Sequence, residues 1–312
     1  MWRMANQPVT WREAWEHALY GEGGFFRTSR PGDHFRTNVH VGPFADAIAE
    51  VVRRTSAPTV VDLGAGGGEL LLALDALLPD VELIGVDLAE RPAGLPERID
   101  WRAALPDRID GLLIANEWLD NVPCAIVEVD DDGVPRELLI DPDTGVESPG
   151  EPFASGWLWE WWTLGEPGER AEVGLARDLA WADAVSRVHG TAIAIDYGHV
   201  RDDRPPFGTL TSYAAGREVD VRLDGTRDVT AHVAVDSAAS ASGGRLVRQR
   251  DALIALGVDG RRPPHEVATT DPAAYVRALG QAGEAAELLA RGGLGDFWWI
   301  VCDTADHGRL DV

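Results

Sequence analysis

The run Val60-Val61-Asp62-Leu63-Gly64-Ala65-Gly66-Gly67-Gly68-Glu69 admits few folds. Thr59–Leu63 is β-branched and apolar and reads as a buried strand, Glu69–Leu78 reads as a helix, and Glu82–Val86 as a second strand. A strand, helix and strand in this order return as a right-handed parallel crossover. Glycines between the first strand and the helix allow a tight turn and let a ligand approach the backbone without a Cβ in the way. The helix N-terminus behind them adds N–H groups and a partial positive charge. A phosphate loop would continue with Lys-Ser or Lys-Thr, which does not follow. The dinucleotide pattern G-x-G-x-x-G fits poorly too, since Glu69 stands where the third glycine belongs.

The second strand ends Gly85-Val86-Asp87-Leu88, which puts a second acid 25 residues after Asp62 at the tip of the neighbouring strand. A carboxylate there can accept from both hydroxyls of a ribose. Asp-x-Gly-x-Gly-x-Gly with that acid resembles the class I methyltransferases. The resemblance implies S-adenosyl-L-methionine as cofactor, held by Asp62, Gly64, Ala65, Gly66, Gly68, Asp87, Leu88, Arg102 and Asn116, and no metal.

Elsewhere the pattern is α/β. Up to about Ala57 the chain reads as helical, with Trp11–Leu19, a turn at Gly21–Gly24 and a periodic Phe44–Val52. Further strands are expected at Ile99–Arg102, Gly111–Ala115, Thr191–Asp196 and Phe297–Cys302, and a hairpin over Ile126–Ile140 around Asp131-Asp132-Gly133. Glu169–Val188 reads as one amphipathic helix, and 205–245 as a polar, irregular insertion. The expected architecture is a doubly wound, Rossmann-like class I methyltransferase sheet with insertions after the fourth and fifth strands. Its parts would be a helical cap at 1–57, a cofactor-binding core at 58–150, a helical insertion at 151–190, and the rest of the core at 191–312. The 1–57 and 205–245 segments are expected on the acceptor side, over the carboxyl ends of the strands.

Ala115-Asn116-Glu117-Trp118-Leu119-Asp120-Asn121-Val122-Pro123 narrows the likeness. An Asn-Glu-x-Leu-Asp-x-x-Pro segment at this place resembles the MidA-type family, relatives of the mitochondrial complex I assembly arginine methyltransferases. Asp196-Tyr197-Gly198, Gly208-Thr209-Leu210 with Tyr213, Asp228-Val229-Thr230-Ala231-His232-Val233, Gln249–Gly257 and Gly295-Asp296-Phe297 follow in the family's order. There are two departures: Gly216 replaces the family's His, and His34 interrupts its early Gly-Asp-Phe.

Methyl transfer from a sulfonium is an in-line displacement in which the protein aligns the nucleophile and removes a proton. An arginine guanidinium, with a pKa above about 12, resists deprotonation, so a carboxylate beside it would orient it and localise its charge. Glu117 is placed for that role by the resemblance, Asp120 on the same side of a short helix, and Asp196 and Tyr197 as a lining of the acceptor pocket. For Glu117 the structural alternative is a bond to a helix end or loop. Trp101 is expected near the adenine or in ordinary packing, and the cluster Trp157, Trp159, Trp161 and Trp162 in packing, with a partner surface or a lid as the alternative. The rival functions are a cofactor-binding assembly factor that has lost turnover and, less well supported, a nicotinamide dehydrogenase.

Composition excludes other classes. No run approaches the roughly 18–20 apolar residues of a membrane span, and residues 1–20 lack the apolar segment of a secretory signal. Two distant cysteines, Cys124 and Cys302, suggest neither a disulfide scaffold nor zinc, so a reducing cytoplasm is the expected setting. The net charge is −24 and every basic residue is arginine. Such a surface does not suit nucleic acid. The expected partner is a methyl acceptor, with a basic protein as one candidate.

Overall fold

The computed structural model describes residues 8–28, 38–304 and 310–312. The early segment with His34 lies outside them. The chain forms two compact units, one from residues 1–35, 118–183 and 198–242, the other from 36–117, 184–197 and 243–312.

The second unit is an α/β unit. Its strands are β1 (Thr59–Leu63), β2 (Glu82–Val86), β3 (Ile99–Arg102), β4 (Ile109–Asn116), β5 (Val188–Asp196), β6 (Arg245–Arg248) and β7 (Trp298–Asp303), in the spatial order β6-β7-β5-β4-β1-β2-β3. Neighbours from β3 through to β5 are parallel, and β7 runs antiparallel to both β5 and β6. The carboxyl ends of six strands and the amino end of β7 therefore share one edge. There Arg248 pairs with Trp298, Trp298 with Asp196, and Val86 with Arg102.

The central strands are continuous apolar runs, Leu112–Ala115 and Ala192–Ile195, because they are buried. Two helices show how the faces are covered. Helix α1 (Gly42–Thr55) starts with Pro43 in its first turn and buries Phe44, Ala45, Ile48, Val51 and Val52, an apolar stripe at helical spacing. It ends at Ser56 in a left-handed conformation. Helix α2 (Glu69–Leu77) buries Leu70, Leu71 and Leu74 in the same core. Helices α3 (Gln249–Ala255) and α4 (Pro272–Leu288) complete the unit's main elements.

The first unit is built on an antiparallel sheet. Ala125–Val129 and Pro135–Ile140 form the expected hairpin, flanked by Arg170–Val173 on one side and by Val9–Thr10 and Glu147–Pro152 on the other. Thr10 and Glu13 close a capping box on the helix Trp11–Tyr20, whose Trp11, Ala14, Trp15, Ala18 and Leu19 are buried.

Two expectations are corrected here. Glu169–Val188 is not one helix: Arg170–Val173 is a strand, and the helix starts only after Gly174, at Leu175. Glu172, buried in that strand, accepts the backbone N–H groups of Thr209 and Leu210 at 2.8 and 3.1 Å, a tie no local pattern announces. The 205–245 region is ordered, with a three-stranded sheet of Thr211–Ala214, Arg217–Val219 and Asp228–Thr230 followed by the helix Val235–Ser242. Strands this short carry too few alternations to be read from sequence. Within the N-terminal segment, Trp11–Tyr20 belongs to the first unit and Gly42–Thr55 to the second.

Candidate active site

The glycine loop turns directly from β1 into α2. Gly64, Gly66 and Gly68 adopt φ of 75°, 55° and 78°, the left-handed region in which a side chain is strained. Asp87, at the tip of β2, fastens the loop. Its Oδ2 accepts the Gly66 N–H and its Oδ1 the Ala89 N–H, both at 2.8 Å. Gly64 and Ala65 in turn donate their N–H groups to the Val86 carbonyl.

Asp62 is buried beneath the loop, and its carboxyl is pushed up to about 7, first by burial and then by the charges of Asp87 and Glu69. Three acids around one turn form a site that a cation would relieve. A sulfonium nucleoside carrying an ammonium group meets that description, and the glycine backbone gives it room. The loop therefore fits S-adenosylmethionine.

Next to Asp87, Leu88 is 50% exposed, an apolar side chain at the lip. Arg102 contributes its backbone, whose carbonyl accepts the Asp87 N–H, while its side chain pairs at the surface with Asp100 at 2.7 Å. Trp101 packs its ring where a Cβ on Gly85 would go and donates its indole N–H to the Ala89 carbonyl, so it is a packing residue that braces the Asp87 turn.

The carboxyl end of β4 carries a different arrangement. Glu117 has φ 51°, a left-handed conformation that a residue with a Cβ holds only when its surroundings impose it. Its backbone N–H donates to the Ile195 carbonyl at 2.8 Å. Its Oε1 receives the Asn116 Nδ2 at 3.1 Å, the Asn38 backbone N–H at 3.3 Å and the Asn38 Nδ2 at 3.5 Å. The Asn38 Nδ2 also donates to the Asn116 Oδ1 at 3.0 Å. Asn116 thus clamps Glu117. Asn38 was not distinguishable in the sequence, where it is one polar residue before Val39.

Asp196, buried at the end of β5, accepts the Tyr197 N–H on its Oδ1, and the Tyr197 ring meets Phe297 edge-on at 5.5 Å. Asp196 ends the strand beside β4 and Tyr197 follows it, so Glu117, Asn116, Asp196 and Tyr197 share one strip of the sheet edge.

Asp120 belongs to the first unit. The short helix expected after Glu117 is absent; residues 118–124 form a turn. Asp120 is buried there, its Oδ2 accepting the Thr230 hydroxyl at 2.7 Å. Arg177, also buried, donates to the carbonyls of Asp120, Val122 and His232 and so fastens this turn to the His232 segment. Gly216, with φ 73°, and Ala215, with φ 48°, form the two-residue turn between Thr211–Ala214 and Arg217–Val219. Trp157 and Trp162 are packed, Trp157 donating to Asp178 and Ser237, whereas Trp159 is 71% exposed.

Among the described residues no three His, Cys, Asp or Glu side chains could hold a metal ion, and no helix is long and apolar enough to cross a membrane.

The model of a family described as "Putative S-adenosyl-L-methionine-dependent methyltransferase" matches residues 85–248, just over half of the chain. The chain belongs to this family. It is an S-adenosylmethionine-dependent methyltransferase, and the dehydrogenase alternative is set aside. The match begins at Gly85, so the glycine loop lies outside it and supports the cofactor independently.

Solved structures show the same fold. A COG1565 superfamily member from Burkholderia thailandensis, bound to S-adenosyl-homocysteine, is 24% identical with a TM-score of 0.76, over 95% of this chain and 88% of that one. A second COG1565 structure from the same organism, in its native form, is 24% identical with a TM-score of 0.75, over 95% of this chain and 87% of that one. No curated protein matches the chain.

Proposed function

We propose that this methyltransferase is of the MidA type, doubly wound around its parallel sheet and at work in the cytoplasm. Its acceptor is a nitrogen or oxygen nucleophile, foremost an arginine guanidinium on a protein. The observation that carries the reading is Glu117, a strained residue at the carboxyl end of β4 whose Oε1 is held by donors from Asn38 and Asn116.

Bound S-adenosylmethionine supplies an activated methyl carbon. The chain's own residues do the rest. Asp62 offers charge to the cofactor's cationic groups, and the loop, with no Cβ at Gly64, Gly66, Gly67 and Gly68, lets the cofactor lie against its backbone. A carboxylate accepts up to about four hydrogen bonds, so Asp87 can take a ribose hydroxyl while tying down Gly66. Leu88 covers the purine. Glu117 fixes the plane of the guanidinium, draws its positive charge away from one nitrogen, and so leaves that nitrogen in line with the methyl carbon. Asp196 and Tyr197 bound the acceptor side of the same edge. The net charge of −24 favours a basic partner.

Glu117→Gln tests the reading. An interaction made in the transition state predicts a loss of turnover with cofactor affinity nearly unchanged. Incubation with methyl-labelled S-adenosylmethionine and host lysate, beside calorimetry with S-adenosyl-homocysteine, separates the two. A variant with a lower melting temperature but a normal rate per folded molecule would reduce Glu117 to a loop bond.

A further inference from the structure

Glu117 does not stand alone at the sheet edge. Behind Asn38 lies Gln249, the first residue of α3, and both side chains are fully buried. The Gln249 Nε2 donates to the Asn38 Oδ1 and to the Leu294 carbonyl, each at 2.8 Å, and its Oε1 accepts the Trp299 indole N–H at 3.0 Å. The Gln249 backbone N–H is taken by the Phe297 carbonyl at 2.8 Å.

This chain of bonds has only one polarity. An indole N–H can only donate, so the Gln249 atom facing Trp299 is the oxygen. Its nitrogen then faces Asn38, which must answer with oxygen. The Asn38 nitrogen is thereby turned to Asn116 and Glu117, and the Asn116 nitrogen to Glu117. Every step points its hydrogens toward the Glu117 carboxylate, and both side-chain N–H groups and the oxygen of Gln249 are engaged. A buried polar network satisfied in this way is rigid, whereas one missing a member is costly.

We propose that Gln249, acting through Asn38, is a positioning residue for Glu117: it sets the direction of the hydrogen bonds that hold the carboxylate toward the acceptor. The proposal rests on the role given to Glu117 above. Burial alone would call for an apolar residue at 249, since replacing a buried amide by a hydrocarbon of its shape need not destabilise when its partners are replaced too. An amide that matches three partners at once specifies an orientation.

The test is a double-mutant cycle. Gln249→Met keeps the length and removes the polar atoms; Gln249→Glu keeps the acceptor for Trp299 and replaces the donor facing Asn38, so it serves where the methionine variant does not fold. Each is made alone and with Glu117→Gln. Single-turnover transfer from methyl-labelled S-adenosylmethionine to host-lysate protein is measured, together with calorimetric affinity for S-adenosyl-homocysteine and thermal melts without cofactor. The expected result is a loss in transfer of about ten- to a hundredfold for the Gln249 variants, the scale of a displaced reacting group. S-adenosyl-homocysteine affinity stays within about twofold, and no further loss appears once Glu117 is already Gln. Losses that multiply in the double variant, or a Gln249→Glu protein that transfers at the wild-type rate, would overturn the proposal. If Glu117→Gln alone transfers normally, the catalytic reading of Glu117 is what fails, a result the cycle distinguishes from the others.

Discussion

The Asp87 carboxylate and the Gly66 amide are 2.8 Å apart, so the tip of β2 holds the loop of β1 closed by a single side chain. Asp87 therefore has a structural task beside the ribose contact proposed for it, and its variants separate the two. Asp87→Asn retains one oxygen and is expected to keep the loop bond while weakening ribose recognition. Asp87→Ala loses both. Calorimetry with S-adenosyl-homocysteine is expected to show a cost of roughly 1–3 kcal/mol for the alanine variant and less for the asparagine one. Equal affinity in the alanine variant and wild type would exclude the ribose contact.

With Asp62 beside the cofactor's cationic groups as proposed, cofactor affinity is expected to depend on pH. The Asp62 carboxyl, pushed up to about 7 by burial and by Asp87 and Glu69, is protonated in the empty protein below that value. A bound cation favours the charged form, so affinity is expected to rise with pH through about 7, at most about tenfold per unit. Asp62→Asn is expected to remove that rise. In the cofactor-free protein the sign runs the other way: the folded-state value lies above the unfolded one, so stability is lost as pH rises from about 4 to 7. Melts of Asp62→Asn against wild type across that range measure it.

His199 gives the first unit an acid-sensitive point. Burial first, then the Arg204 charge, depress its pKa to about 3, and Arg204 donates from Nη1 to its Nδ1 at 2.7 Å, which fixes the proton on Nε2. Because the folded value is below the unfolded one of about 6.5, the contribution to stability is present above pH 6.5 and is lost progressively as pH falls toward 3. His199→Asn keeps an acceptor for Arg204. Its stability is expected to fall less steeply than that of wild type between pH 6.5 and 5, as read by denaturant titration at each pH.

Under the proposed MidA-type reading Gly216 takes the place of a His, and introducing His there is not expected to help. At φ 73° a side chain in the Ala215-Gly216 turn costs about 1–2 kcal/mol. Gly216→His is expected to destabilise by that amount in denaturant titration, with no gain in methyl transfer.

Much of the cofactor half was legible because its signals are local. The strand Thr59–Leu63, the glycines and the helix from Glu69 lie in one stretch of sequence, and the structure has them within a residue of expectation. Asp87 was legible because a parallel crossover puts successive strand ends side by side. Glu117 was marked by its motif, but its strained φ and its partners were hidden, since Asn38 and Gln249 lie 79 and 132 residues away in sequence. Gln249 opened one of the segments that follow the family's order, but nothing in the sequence announced its partners Asn38 and Trp299. The polar stretch from 205 to 245 looked irregular for a related reason: its three strands satisfy one another rather than a period in the sequence. The helix expected after Glu117 was a misreading of a turn whose carbonyls are answered by Arg177, more than fifty residues later.

The hydrogen-bond chain behind Glu117 also fixes an order of events during synthesis. The cofactor loop and its acid are complete once Arg102 has emerged, whereas the indole that orients Gln249 belongs to Trp299, almost two hundred residues further on. A ribosome-bound chain thus carries Asp62, the glycine loop and Asp87 long before the bonds that hold Glu117 can close. Until β7 has slotted between β5 and β6, the Trp299 indole cannot orient Gln249, and the hydrogen-bond chain behind Glu117 stays incomplete.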